Sequence, residues 1–305
     1  MKVVVTGATG MVGEVLTQRL IDKGHEVWGL TRNVQKARKS NPKVSWLEWH
    51  PNKEPAPASA FQGADGVVHL SGENVGGGRW TEERKKAILK SREEGTKNLV
   101  TTLNNLPQGP KVAISASAIG IYGDRGDESL TENSDEGQGF LADVCRAWEN
   151  NFSKLNKGRS VILRIGIVLS PKGGALAKML PIFKLGAGGP VGSGNQWMSW
   201  IHLEDVVGLI IQSLENEKVS GIINAVSPNP VTNREFTKAL ADTVHRPAIF
   251  PAPAFALKLV LGEMSALVLH SQRVQAKNAE QLGLTFKFTQ LREALSDLLP
   301  GKKKD

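Results

Sequence analysis

Two residue types are almost missing from this chain of 305 residues, which contains one tyrosine, Tyr122, and one cysteine, Cys145. A single cysteine excludes an internal disulfide and is typical of a reducing compartment. The residue four positions after Tyr122 is Gly126, so the chain contains no Tyr-x-x-x-Lys pair. This absence excludes the mechanism in which a lysine of that pair assists proton transfer by the tyrosine hydroxyl.

Long apolar runs and clustered basic residues are also missing. No uninterrupted apolar segment approaches the roughly 18–20 residues that span a bilayer, so we expect no membrane partner. The first residues read as a strand rather than a signal peptide, which predicts a cytoplasmic protein. The formal net charge is +8, but Lys302, Lys303 and Lys304 supply three of these charges and the others are dispersed. This distribution argues against a nucleic-acid partner, although it would attract a phosphorylated small molecule.

What the chain does contain is a regular alternation of two kinds of segment. Short apolar runs typical of buried strands occupy residues 2–6, 26–30, 65–70, 112–115 and 161–165. Segments with helical spacing lie between them, at residues 11–23, 81–104 and 139–156. Uninterrupted apolar strands alternating with helices predict a doubly wound parallel sheet of the Rossmann type, in the α/β class.

Glycine and proline become frequent after Ser170, and this change marks a second lobe. Residues 203–215 and 222–225 read as a return to the main sheet, whereas short helices and prolines follow residue 231. We therefore predict a Rossmann domain of residues 1–170 and 201–226. Residues 171–200 and 227–305 are predicted to form a smaller C-terminal α/β lobe on the substrate side.

A glycine pattern follows the first strand and opens the first helix. Gly7, Gly10 and Gly13 have the spacing of a dinucleotide-binding loop, with Thr9, Met11 and Val12 between them. Gly7 permits the tight turn, Gly10 lets the backbone approach a pyrophosphate, and Gly13 allows the helix to pack closely on the strand. We predict that these six residues hold the pyrophosphate at the positive end of the helix dipole.

The end of the second strand predicts which dinucleotide binds. NAD-binding proteins usually carry Asp or Glu there, which accepts hydrogen bonds from the ribose 2′-hydroxyl. This chain carries Thr31 and Arg32, which would bind a 2′-phosphate that a carboxylate would repel. The prediction is NADP(H) rather than NAD(H). The alternative is that Arg32 only begins a solvated basic helix.

Several segments resemble the extended short-chain dehydrogenase/reductases, the group that includes sugar-nucleotide epimerases. Residues 65–72 resemble their fourth strand and following turn, and residues 92–96 lie where they carry Asn-x-x-Gly-Thr. Residues 115–123 resemble their serine-rich fifth strand that ends in Tyr-Gly, and residues 200–206 resemble their Val-His-Val-x-Asp-Val segment. The resemblance implies further cofactor contacts from the loop after the fourth strand, from the following helix and from the later strands: Leu70, Ser71, Gly72, Glu73, Arg92, Ser115, Ala116 and Arg164. We expect Ser115, Ser117 and Arg164 to line the nicotinamide end.

A narrower resemblance covers nearly the whole chain. Gly72-Glu73-Asn74, Arg79-Trp80-Thr81, Trp148-Glu149 and the glycine-rich residues 188–194 are similar to the YfcH-type atypical epimerase-like family. Residues 246–274 are similar to the characteristic C-terminal domain of that family. The resemblance implies an NADP-binding protein with an undefined substrate. Helices 81–104 and 139–156 correspond to a frequent dimer interface of the wider group, but they carry many charges here, so monomer and homodimer both stay open.

The usual catalytic triad of the wider group is absent. In the wider group the catalytic lysine lies four residues, and the catalytic tyrosine eight residues, before the position of Glu149. In this chain these two positions hold Cys145 and Leu141. Neither side chain can relay a proton as those residues do. Tyr122 and Ser117 are the remaining candidates for catalysis, and Tyr122 could equally pack at a strand end with its hydroxyl satisfied. The loop carboxylates Glu73, Asp124, Asp127 and Glu132, or an ordered water, could also transfer the proton.

These observations leave two functions open. The first is an NADP(H)-dependent epimerase-like oxidoreductase that acts on an unidentified small metabolite, sugar-like or anionic. The second is a non-catalytic protein that binds NADPH or senses redox state. The six histidines have no metal-ligand spacing, so no metal is expected.

Overall fold

The computed structural model describes residues 1–300, and the three lysines of the C-terminal sequence lie outside these described residues. The strands are β1 Lys2–Thr6, β2 Glu26–Thr31, β3 Ser45–Glu48, β4 Gly66–His69, β5 Val112–Ala118, β6 Ser129–Leu130, β7 Arg159–Ile165, β8 Ile167–Leu169, β9 Trp197–Met198, β10 Trp200–His202, β11 Gly221–Ala225, β12 Val231–Thr232 and β13 Arg273–Val274. The helices are α1 Met11–Asp22, α2 Val34–Ser40, α3 Ala58–Phe61, α4 Glu82–Asn105, α5 Phe140–Phe152, α6 Gly174–Lys184, α7 Leu203–Glu215, α8 Asn233–Val244, α9 Ala254–Leu261, α10 Ala266–Leu269, α11 Lys277–Gln281 and α12 Leu291–Leu298.

Seven strands form one central sheet in the order β3-β2-β1-β4-β5-β7-β11, and every neighbouring pair is parallel. Helices cover both faces of the sheet, and on each face strand and helix residues form a separate apolar cluster. This confirms the predicted α/β fold with a doubly wound Rossmann sheet. The strand order reverses beside β1, and the crevice at the carboxyl ends of the strands there is where such sheets bind ligands.

Strand β5 is longer than the sequence predicted. The prediction ended the strand at residue 115, whereas the structure continues it to Ala118. Residues Ala116, Ser117 and Ala118 pair in parallel with Leu163, Arg164 and Ile165 of β7. These small residues have weak strand preferences of their own, so the neighbouring strand determines their conformation.

A second apolar core lies beyond the sheet. It is built mainly from α6, α8, α12 and their connections, with Leu176, Trp200, Phe236, Leu240 and Leu295 buried in it. The prediction assigned residues 227–305 wholly to the smaller lobe, and here the structure differs. Val274, Ala276, Ala279 and Leu284 pack in the main core, so the chain returns to the central sheet near its end. No helix within residues 1–300 is both long enough and apolar enough to cross a membrane.

Candidate functional site

The glycine loop between β1 and α1 is sterically closed to side chains. Gly7 has a φ of 68°, and a Cβ there would lie 2.8 Å from the carbonyl carbon of Leu70 at the end of β4. A Cβ on Gly13 would collide with the carbonyl oxygen of Gly7 and would lie 2.7 Å from the Cα of Ala8. The Gly10 amide donates to the Gly7 carbonyl over 2.9 Å. The loop therefore folds tightly between β1, β4 and α1, as a dinucleotide-binding turn requires.

The amino-terminal end of α1 is open to a ligand. Gly10 is the N-cap residue, and no side chain caps the first turn. Thr9 and Gly10 are exposed, and Met11 and Val12 are half-buried. The first-turn N–H groups lack intrahelical partners and carry the positive end of the helix dipole. The geometry fits a pyrophosphate, and the individual contacts of these residues stay predictions.

The end of β2 presents the residues that were predicted to distinguish the two dinucleotides. Thr31 is half-buried, and its Oγ1 accepts the Asn33 amide over 3.3 Å. Arg32 is exposed and makes no hydrogen bond within the described residues. Glu48 lies opposite Thr31 on β3, where its carboxylate contacts His50 Nε2 at 3.0 Å. A guanidinium without a partner among the described residues and a hydroxyl thus lie together at the end of β2, and their contact with a 2′-phosphate stays a prediction.

The loop after β4 is held against α4 by polar contacts. The Glu73 amide donates to Ser91 Oγ over 3.0 Å, and Arg92 donates to the Glu73 carbonyl over 3.0 Å. The Ser71 amide donates to Thr6 Oγ1 over 3.3 Å. These contacts place the predicted cofactor segment Leu70, Ser71, Gly72 and Glu73 beside the glycine loop.

His69 supports this loop from inside the protein. Its Nδ1 lies 2.7 Å from Thr6 Oγ1, and its Nε2 lies 3.1 Å from Thr96 Oγ1. Burial, assisted by the nearby Arg92 guanidinium, lowers the pKa of His69 to about 3. The imidazole is therefore neutral at physiological pH and connects β1, β4 and α4 as a structural group.

The predicted catalytic and nicotinamide-end residues form a buried polar network instead. Arg164 makes a bidentate ion pair with Glu149, over 3.0 Å and 2.9 Å. Ser117 Oγ donates to Glu149 Oε1 over 2.6 Å. Tyr122 is fully buried, its hydroxyl donates to Asn224 Oδ1 over 2.7 Å, and Arg164 donates to that hydroxyl over 3.0 Å. The network crosses β5, β7, β11 and α5.

This network corrects three sequence predictions. Tyr122 and Ser117 were candidates for catalysis, and Arg164 was expected at the nicotinamide end, but all three side chains are buried and bonded to core partners. Burial raises the pKa of Tyr122, so its proton is held more tightly than usual. Burial alone would lower the pKa of Arg164, but its contacts to Glu149 and Tyr122 outweigh that effect. These groups stabilise the sheet rather than face a substrate.

Ser115 and Ala116 are also buried in β5. Ser115 Oγ donates to the Ala116 carbonyl over 3.0 Å, and 1% of Ser115 is exposed. Any cofactor contact from these two residues would therefore come from the backbone or from a small exposed edge, and the contact stays a prediction.

The positions of the missing catalytic pair contain apolar groups. Leu141 lies in the first turn of α5 and lines a cleft, and Cys145 one turn later is buried. Burial raises the pKa of the Cys145 thiol to about 11. Neither side chain supplies a proton, and the thiol is not a nucleophile near neutral pH.

The cleft lies between the Rossmann sheet and the smaller lobe and has a volume of about 630 Å³. One wall comes from the turn after β5, the start of α5 and Trp80. The other comes from α9, α10 and the glycine-rich loop near Gly192. Asp124 and His270 line it on opposite sides of the lobe junction. Ser271, next to His270, donates its amide to Asp124 Oδ1 over 2.8 Å, which fastens the lobe to the turn.

The lobe side of the cleft was not predicted from the sequence. It carries Lys258, Glu263 and His270, which come from residues 252–298, where no motif indicates that they are site residues. It also missed Asn224 as the partner of Tyr122, because 102 residues separate the two positions. Of the four loop carboxylates that were considered, Asp124 lines the cleft. Glu73 accepts from Arg84, Asp127 accepts from Trp197, and Glu132 is buried in the core.

A parallel Rossmann sheet, a glycine loop on β1 and a cleft beneath a C-terminal lobe define a dinucleotide-binding protein of the extended dehydrogenase/reductase class. The chain belongs to the NAD dependent epimerase/dehydratase family, whose profile matches residues 3–225. A domain of unknown function, DUF1731, matches residues 252–298. The resemblance to the atypical YfcH-type proteins, with their own C-terminal domain, is confirmed.

Three similar proteins cover almost the whole chain. The epimerase family protein SDR39U1 homolog of Arabidopsis thaliana, named as chloroplastic, is 42% identical over 98% of this chain and 87% of its own. The crystal structure of human SDR39U1 with NADPH has a TM-score of 0.89 and 32% identity, and covers 99% of this chain and 100% of that one. A nucleoside-diphosphate sugar epimerase of Corynebacterium glutamicum has a TM-score of 0.77 and 36% identity, over 98% of this chain and 58% of that one. The cytoplasmic location stays a prediction for this chain.

Proposed function

We propose that this protein is an NADP(H)-dependent, epimerase-like oxidoreductase that acts on a small metabolite in the cleft between its two lobes. The observation that carries the proposal is the unpartnered Arg32 beside Thr31 at the end of β2, next to an open helix end and a closed glycine loop. The NADPH in the crystal structure of human SDR39U1 supports the same choice of dinucleotide.

Three parts of this chain would bind NADP(H). The amides at the start of α1 would hold the pyrophosphate, and Arg32 with Thr31 would hold the 2′-phosphate. The loop after β4, fixed by Ser91 and Arg92, would bound the cofactor on its other side. When bound, the cofactor supplies or accepts the hydride, and the protein orients it and limits the access of water.

Proton transfer would take place in the cleft without a tyrosine. Asp124 and His270 line it, and His270 Nδ1 is buried without a hydrogen-bond partner in the described residues. We propose that one of these two groups, or a water that they hold, transfers the proton to or from the substrate. Because the Tyr122 hydroxyl is buried and bonded to Asn224 and Arg164, we propose this step without it.

The same network favours a second candidate function, an NADPH-binding protein without turnover. Groups that act on substrate in related enzymes are replaced here by Leu141 and Cys145 or are bonded within the core. A cleft of about 630 Å³ between the two lobes favours the enzyme. Turnover of NADPH with a small-molecule panel would distinguish the two.

The test of the cofactor is a calorimetric titration of the ligand-stripped protein with NADPH and NADH. We expect NADPH to bind at least tenfold more tightly. The change Arg32→Ala should reduce NADPH affinity by about 10- to 150-fold and leave NADH affinity unchanged, because one charge-assisted contact is worth roughly 1.5–3 kcal/mol. Arg38→Ala, on the exposed side of α2, is the charge-matched control and should have a smaller effect. Equal affinity for the two dinucleotides would contradict the proposal.

A further inference from the structure

One side of the cleft is aromatic and apolar, although polar side chains line other parts of it. Trp80, Phe140 and Leu141 line it from the Rossmann side, and Ala254, Ala266 and Leu269 line it from the lobe. The rings of Trp80 and Phe140 pack edge to face, with 4.9 Å between their centroids. The indole N–H of Trp80 donates to the Val75 carbonyl over 2.8 Å, so it is not available to a ligand. This part of the wall favours contact with a ring or a hydrocarbon segment.

The charged groups on the cleft walls do not form a site for an anion. Among the described residues that line the cleft, Lys258 is the one lysine or arginine, whereas Asp124 and Glu263 are two carboxylates. Lys85 neutralises Glu263 through contacts of 3.1 Å and 3.0 Å. The cleft therefore has no excess positive charge to replace the hydration of a phosphate or a carboxylate.

Two guanidinium groups of the Rossmann core, those of the buried Arg164 and the half-buried Arg92, are already occupied. Arg164 is paired with Glu149. Arg92 donates to the carbonyls of Glu73 and Ile88 and lies 4.8 Å from the ring centroid of Trp148. Turning either guanidinium toward a ligand would break these contacts and leave buried partners unsatisfied. Helix α9, which borders the cleft, has no buried residue and exposes Phe255 and Leu259.

We propose that the substrate is an uncharged carbonyl compound with a ring or hydrocarbon part, or the corresponding alcohol, rather than a nucleoside diphosphate sugar or a carboxylate; this inference rests on the proposed function. The ring or hydrocarbon part packs between the Trp80–Phe140 wall and Leu269, with the carbonyl toward Asp124 and His270. The reaction balances as a reduction. The carbonyl carbon gains a hydride while NADPH is oxidised to NADP⁺, and the oxygen gains one proton from the cleft.

A matched pair of probes tests the charge of the substrate. Methyl 4-formylbenzoate and 4-formylbenzoate share an aromatic aldehyde and differ in one negative charge. Binding of each to the NADPH-loaded full chain is measured by calorimetry, and NADPH oxidation is followed by absorbance, with UDP-glucose as a third probe. We expect the ester to bind at least tenfold more tightly than the carboxylate, and UDP-glucose to give no measurable binding.

Each other outcome overturns the inference. Carboxylate or UDP-glucose binding as tight as that of the ester would contradict the charge argument. NADPH binding without ester binding would reject this substrate class and leave the proposed cofactor in place. Failure to bind NADPH would remove the proposed function, and this inference with it.

A variant tests whether these probes bind in the cleft. Leu269→Lys places an ammonium on the cleft wall and should lower the ester-to-carboxylate affinity ratio by about tenfold. Leu269→Met keeps the size and the lack of charge, and should leave the ratio unchanged. An unchanged ratio in the lysine variant would show that the probes bind elsewhere.

Discussion

At the scale of single residues, the phenol of Tyr122 has a structural use. Its hydroxyl lies between Asn224 and Arg164, which in turn neutralises Glu149. A buried ion pair is tolerable only when its remaining hydrogen-bonding groups are satisfied, and the Tyr122 and Ser117 hydroxyls satisfy them here. The only tyrosine of the chain is therefore part of the packing of β5 against β7 and β11.

The change Tyr122→Phe should reduce stability without reducing catalysis. It leaves the Asn224 oxygen and one Arg164 N–H buried without a partner, which costs about 1–3 kcal/mol of unfolding free energy. Urea unfolding measures this loss, and we expect NADPH affinity and turnover per folded molecule to stay within twofold of the parent. A hundredfold loss of turnover at unchanged stability would instead show that the hydroxyl acts on substrate.

At the scale of elements, the contact between β1 and α1 determines the cofactor site. Gly7 and Gly13 let the loop, the strand and the helix come closer than side chains would allow. The N-cap residue Gly10 has no side chain that could cap the first turn of α1, so this turn is open to a phosphate. Shape and electrostatics at this point thus both depend on the three glycines of the loop.

Two glycine substitutions distinguish the steric requirement for glycine in the loop from the general effect of glycine on helix stability. Gly13→Ala pushes a methyl group against backbone atoms of Gly7 and Ala8, so we expect a loss of about 1–3 kcal/mol in stability and at least a tenfold loss of NADPH affinity. Gly208→Ala in α7 is the control, because its nearest neighbour would be 3.8 Å away. It should leave binding unchanged and stabilise the helix by up to about 1 kcal/mol. Equal effects of the two changes would contradict the steric argument.

At the scale of the whole molecule, the end of the chain completes the first lobe. Val274, Ala276, Ala279 and Leu284 pack in the main core, and Asn278 donates its amide to the buried Glu132 over 3.1 Å. Gln272 donates to the carbonyls of Ile119 and Gly123 in the turn that borders the cleft. Residues 272–284 therefore connect the smaller lobe to the Rossmann core and pack in that core.

Removal of residues 252–305 should consequently unfold more than the smaller lobe. We expect a chain that ends at Pro251 to lose cooperative urea unfolding and NADPH binding, because apolar surface of the main core becomes exposed. Leu284→Ala in the full chain should cost about 2–5 kcal/mol. Leu259→Ala, at a side chain that is 77% exposed, should change stability by less than about 0.5 kcal/mol. Cooperative unfolding of the shortened chain with NADPH bound would show that the Rossmann part is independent.

The sequence by itself determined the features that depend on local chemistry. Apolar runs and helical spacing identified the strands β1, β4 and β7 and the helices α1, α4 and α5 to within a few residues. The glycine spacing after β1 predicted the closed loop, because only residues without a Cβ fit there. The family resemblance was also readable, since its motifs are short and ordered along the chain.

The tertiary structure decided the features that depend on distant contacts. Tyr122 meets Asn224 across 102 residues, and Ser271 meets Asp124 across 147, and no local pattern encodes either pairing. Burial places Ser117, Tyr122 and Arg164 in the core, and the contact between the lobes forms the cleft. Local spacing predicts where the backbone turns, but the surroundings of a polar side chain depend on every element that packs against it.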